Sequence, residues 1–166
     1  MTPGEVGIDF STLWTYGDGS NERIPVGRLT DPGEHVHGDL RIAIRGQLLP
    51  SLGFFGPDDV CFNEWAHELH ALGRLLAGDE DFVHLYDDGE QGQPAYEFRR
   101  VGNEVQVSVL KGSGGGAADP GWVKVSCHRA ALRRAIEGFE VALDSALRDA
   151  TGDAGRRWMA RVVESA

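Results

Sequence analysis

The sequence predicts an α+β fold: an antiparallel β-sheet packed against two main amphipathic helices, with a short C-terminal helix. Three observations lead there. Two segments repeat apolar residues at three- and four-residue spacing, which gives a helix one apolar face. Other segments alternate apolar and polar residues, the period of a half-buried strand. The elements run β–α–β–β–β–α, so strands cluster instead of alternating with helices as a parallel sheet requires.

Residues 1–38 are rich in Gly, Pro, Asp and Ser and read as an irregular N-terminal part with short strands. Val6-Gly7-Ile8-Asp9-Phe10 alternates, Leu13-Trp14-Thr15-Tyr16 is aromatic and β-prone, and Asp18-Gly19 marks a turn before Ile24-Pro25-Val26. An α+β core is expected over 39–149. It opens with the alternating strand Leu40–Arg45, and Leu52-Gly53-Phe54-Phe55 is expected to continue the sheet after Pro50. Val60-Cys61-Phe62 is a short buried strand leading into the first helix. Asn63 is the expected N-cap, Glu64 sits favourably in the first turn, and Gly78 stops the helix. Trp65, Leu69, Leu72 and Leu76 form its apolar face.

Strands follow over 82–86, 95–101 and 104–110, the last two joined at Gly102-Asn103, a two-residue hairpin turn that favours positive φ. Lys111 to Gly121 is a Gly-rich connection, and Trp122–Val125 returns as a further antiparallel strand. The second helix is expected from Arg129 to Asp149, with Leu132, Ile136, Phe139, Leu143 and Leu147 as its stripe and Gly152 as its end. A short helix carrying Trp158, Met159 and Val162 lies within 153–166. All 166 residues read as one domain, long enough to bury a real core.

The formal charge of −10 and a pI near 4.9 argue against nucleic acid as a direct ligand and against anionic lipid, since both need a basic footprint. No apolar run approaches bilayer length, so no membrane association is expected. Without a secretory signal at the N-terminus, the expected location is cytoplasmic. Cys61 and Cys127 then read as reduced and buried, with a disulfide as the lesser alternative.

Motifs for chemistry mostly fail on spacing. In Glu64-Trp65-Ala66-His67-Glu68-Leu69-His70 the two histidines are three apart, where a zinc-protease helix needs four. Glu64 and His67 have the Glu-x-x-His spacing of di-iron bundles, but no second copy exists. The expectation is therefore no metal and no cofactor. Glu64, His67 and His70 form the alternative, a metal-dependent enzyme, joined there by His35 or His37. His35-Val36-His37 places two imidazoles on one strand face, within reach of a shared metal whose site Asp31, Glu34 and Asp39 could complete, although the Pro-Gly turn before it favours a solvated loop. Asp79, Asp81 and Glu90 imitate three calcium-loop positions, but Val83 and His84 stand where a ligand and the obligatory Gly belong. Gly112 to Gly116 lacks the Lys placement of a phosphate loop.

The most distinctive feature is the segment from Asp79 to Glu90. It carries six carboxylates (Asp79, Glu80, Asp81, Asp87, Asp88, Glu90) with no Lys or Arg, around Phe82–Tyr86. Massed like charge costs stability and attracts a cationic partner. Solvated charged loops are the bland explanation, but surfaces that only solubilise normally mix both signs. These six acids, with Tyr86 as aromatic anchor, are the expected partner-binding residues.

From about Asp39 to Asp149 the chain resembles the WapI-type immunity proteins of bacterial polymorphic-toxin systems. The likeness lies in a strand passing into the Leu-rich helix at Cys61–Leu69, then an acidic strand. A hairpin of the type Tyr96-Glu97-Phe98…Gly102-Asn103-Glu104-Val105 follows, and a last strand enters a long helix. The resemblance implies a non-enzymatic cytoplasmic protein that binds and blocks the toxic domain of a cognate effector, commonly a nuclease. Basic toxins of that kind suit an acidic surface. An oligomeric structural or regulatory domain is the further alternative, and the sequence leaves the oligomeric state open.

Overall fold

A computed structural model describes residues 5–17, 21–87, 89, 92–112 and 115–164. The elements are β1 (Val6–Tyr16), β2 (Arg23–Pro25), a 3-10 turn (Val26–Arg28), β3 (Val36–Ile44), β4 (Gln47–Leu48), β5 (Val60–Cys61), α1 (Phe62–Ala77), β6 (Phe82–Tyr86), β7 (Ala95–Val101), β8 (Glu104–Leu110), β9 (Val125–His128), α2 (Arg129–Thr151) and α3 (Asp153–Glu164). The class is α+β, as expected. The strands form two antiparallel sheets, ordered β2-β1-β3-β4, with β5 also on β3, and β6-β7-β8-β9.

The N-terminal region is more regular than its composition suggests. The two short pieces expected there are one strand of eleven residues, interrupted in register between Ser11 and Trp14, where Thr12 has φ of 53°. Such a bulge inserts residues without breaking the pairing and re-aims the side chains beyond it. After the bulge Trp14 stands opposite His37 of β3. Gly38 permits this: a Cβ there would lie 3.1 Å from the carbonyl oxygens of Ser11 and Thr12 and from the Phe62 ring.

Asn63 does not cap α1. The helix begins at Phe62, one residue earlier, after Cys61. The Asn63 amide instead accepts from the Val36 N–H at 2.9 Å and donates to the Glu34 carbonyl at 3.2 Å. Trp158 Nε1 of α3 donates to the same carbonyl at 3.0 Å. The start of β3 is thus fastened to two helices. Leu52–Phe55 does not extend the sheet; it lies in a run of bends between β4 and β5, with Phe55 77% exposed. The last strand starts at Val125, not Trp122, whose ring is buried.

The β7–β8 hairpin closes on Gly102-Asn103 with Val101 opposite Glu104 and Gly102 at φ 60°. Positive φ at the first central position suits a hairpin whose strands twist to the right. One continuous apolar core joins both sheets and all three helices. It includes Val36, Ile42 and Ile44 of β3, Phe62 to Leu76 on one face of α1, Val105 to Val109 of β8, the α2 stripe and Trp158. Both cysteines are free thiols, Cys127 buried and Cys61 half-buried, so the disulfide alternative fails. Among the described residues no helix is long and apolar enough to cross a membrane.

Candidate functional site

The acidic segment surrounds β6, the outermost strand of the second sheet, which pairs only with β7 among the described residues. Alternation turns Phe82, His84 and Tyr86 inward and leaves Val83 and Leu85 51% and 44% exposed. His84 Nε2 contacts Glu68 Oε2 of α1 at 2.8 Å, which helps hold the strand against the helix.

The acids do not form one unbroken patch. Asp79, Glu80 and Asp81 stand before the strand and Asp87 after it, separated by roughly 20 Å at ~3.3 Å per residue. At the first end, Asp79 is fully exposed with Arg129 Nη1 3.8 Å away, and Glu80 is exposed. Asp81 accepts the Gly102 N–H at 2.7 Å and so also supports the hairpin turn. Beneath them lies the buried Arg100, whose guanidinium donates to the carbonyls of Gly78 at 2.6 Å, Asp79 at 3.1 Å and Gly102 at 2.9 Å. At the second end Asp87 accepts the Gly89 N–H at 2.9 Å. Asp88 and Glu90 lie outside the described residues.

Tyr86 is not available as an anchor. It is 7% exposed, edge-on to Trp65 and stacked over Tyr96, so it serves the core. Apolar contact on this edge falls to Val83 and Leu85.

The metal alternative on α1 does not assemble. Glu64 and His67 line a shallow cleft beside Arg161, and His67 Nδ1 lies 3.3 Å from the Val162 carbonyl. His70 is turned instead to Glu140 of α2, with Nδ1 2.8 Å from Oε1. Helical spacing put the three on one strip, but α2 and α3 divide that strip between them.

A different group does converge. His35, His37 and Cys61 bring one donor atom each within 4.8 Å of one another, the one such group of three or more His, Cys, Asp and Glu among the described residues. The register explains it. His37 is paired with Cys61 of β5 on one side and with Trp14 of β1 on the other, and His35, two residues earlier, shares its face. The imidazole of His37 stacks on Trp14 with centroids 4.6 Å apart, and His35 Nδ1 lies 3.8 Å from Cys61 Sγ.

Behind this group sits Asp59, 4% exposed, with Oδ1 2.9 Å from His37 Nδ1. Neither atom has a well-aligned hydrogen-bond partner among the described residues. Burial pushes the His37 imidazole below its ordinary value, against the pull of Asp59, and burial pushes the Cys61 thiol up. The group opens into a cleft of about 610 Å³ with Phe54, Phe55 and Glu64 on its walls. The sequence flagged His35 and His37 but not Cys61 or Asp59, because only the β3–β5 pairing brings these together.

No family model matches the sequence, and neither a curated protein nor a solved structure matches it significantly.

Proposed function

We propose that this is a non-enzymatic binding protein of the immunity type, which neutralises a cationic toxin domain by docking it along β6. The supporting observation is an open strand edge with two exposed apolar side chains, Val83 and Leu85, and acid groups at both ends. An unpaired edge offers backbone donors and acceptors to an incoming strand or loop. Acids at either end repel a second copy of the same edge and favour a basic partner. A nuclease surface shaped to hold phosphate is such a partner, and carboxylates flanking the two ends of the strand imitate its substrate's charge. The WapI-type resemblance of 39–149 points the same way, and the cytoplasm, where such a toxin acts, is the location this role requires.

Co-expression with the effector encoded beside its gene tests the reading. Growth should be rescued, and the purified pair should bind with an affinity that falls steeply with added salt. The triple reversal Asp79→Lys, Glu80→Lys, Asp88→Lys should slow association by at least about tenfold, and Val83→Asp should speed dissociation. Salt-independent binding, or full protection by both variants, would overturn it. Self-association through β6 without effector binding would overturn it too and would favour the oligomeric alternative.

A further inference from the structure

We propose that His35, His37 and Cys61 form a binding site for a single zinc-class divalent cation, held by three protein ligands with its fourth position open to the cleft. The cleft it opens into is also lined by Tyr86 at the end of β6, but the site uses none of the residues of the docking edge and does not depend on the docking function.

The donor set defines the ion. Two imidazoles and a thiolate are borderline-to-soft ligands, which suit zinc and its neighbours and not magnesium or calcium. A tetrahedral zinc ion, with bonds of about 2.0–2.3 Å, places its ligand atoms roughly 3.3–3.7 Å apart. His35 Nδ1 and Cys61 Sγ already stand 3.8 Å apart, and the whole group closes from 4.8 Å by about one ångström of side-chain movement. The backbone needs no change, since paired strands supply two of the ligands and the residue just before β3 supplies the third.

The second observation is Asp59. Metal-bound histidines usually give their remaining ring N–H to a carboxylate or carbonyl, which fixes the tautomer and the ring's direction. Asp59 is a buried carboxylate with Oδ1 beside His37 Nδ1, and neither atom has a well-aligned hydrogen-bond partner among the described residues. In that arrangement Nδ1 holds the proton and Nε2 carries the lone pair for the metal. Trp14, stacked on the same ring, limits its rotation. A histidine fixed on both counts is preorganised for ligation.

Binding is balanced simply. As the sulfur–metal bond forms, the Cys61 thiol releases its proton to solvent, while both imidazoles bind as neutral donors. Water fills the fourth position.

The test uses the full chain purified without a polyhistidine tag, stripped with chelator and titrated with Co²⁺ and then Zn²⁺. One equivalent of Co²⁺ should give tetrahedral d–d bands and a thiolate-to-cobalt charge-transfer band, both erased by Zn²⁺. Cys61→Ser should remove the charge-transfer band. His35→Ala, at an exposed position that leaves the core intact, should weaken binding at least tenfold, and Asp59→Asn should weaken it by about ten- to a hundredfold. His67→Ala and His70→Ala should bind as the parent does. A cobalt spectrum unchanged in Cys61→Ser, no saturable binding in the parent, or loss in the His70 variant would each overturn the site. None of these readouts involves an effector.

Discussion

Nε2 of His84 lies 2.8 Å from Oε2 of Glu68, and this contact ties the open edge strand to the first helix. β6 is short and, among the described residues, paired on one side only, so its position depends on what lies beneath it. The Tyr86 ring against Trp65 holds one end, and the His84–Glu68 pair holds the middle. Both side chains of the pair are about four-fifths buried, which shelters the interaction from water.

Removing Glu68 should therefore loosen β6 more than it destabilises the whole. Glu68→Ala is expected to lower global stability by about 1 kcal/mol in urea unfolding. It should also raise amide exchange across β6 while β8, between two neighbours, stays protected. Unchanged exchange in β6 would show that Tyr86 alone secures the strand.

Arg100 should carry a larger penalty. Its guanidinium is buried and divides its donors among three carbonyls, of Gly78, Asp79 and Gly102, which join the end of α1 to the hairpin turn. A cation among the carbonyls of a helix C-terminus is favourably placed. Arg100→Met should cost about 2–3 kcal/mol, because it removes charge-assisted hydrogen bonds to three carbonyls at once, of which, among the described residues, only that of Gly78 keeps a second side-chain donor, Arg129 Nη1 at 3.1 Å. Arg100→Lys should recover only part of this, since one ammonium cannot span the three positions of the planar fork. Denaturant midpoints of the two variants check both statements. Equal losses would show that the fork geometry is irrelevant.

Most of the elements could be read in the sequence because they rest on local periodicity. The α2 stripe from Leu132 to Leu147 is buried as its spacing demands, and the turn at Gly102-Asn103 closes the expected hairpin. What could not be read depends on pairing between distant segments. Nothing local says that β1 runs on through a bulge at Thr12, or that the strands divide into two sheets. Asn63 has an ideal N-cap composition, yet the buried start of β3 and the start of α1 compete for its amide, and β3 wins. Tyr86 sits among acids in the sequence, but strand alternation turns it inward to Trp65. The His35–Cys61 contact spans 26 residues and exists only because β3 and β5 are neighbours.

Cys127 gives a pH dependence of definite sign. Its side chain is 1% exposed on β9, opposite Val105. Burial, with Glu5 adding and Arg45 opposing, pushes its thiol up from 9.0 to about 12. Below pH 9 both the native and the unfolded chain keep the proton, so the group contributes no slope. Between pH 9 and about 12 the unfolded chain releases it while the native state holds it. The unfolded state then binds fewer protons, and stability must fall as pH rises through that window. Comparison with Cys127→Ala isolates the effect. The variant should be less stable at neutral pH, having lost a packed sulfur, but its stability should decline less steeply above pH 9. Contributions from Cys61, the tyrosines and the lysines occur in both proteins and cancel in the difference. Thiol labelling should agree: in the native protein at mildly alkaline pH, the half-buried Cys61 should react well before Cys127 does. Parallel stability curves, or equal labelling of the two thiols, would show that the β9 interior admits a thiolate.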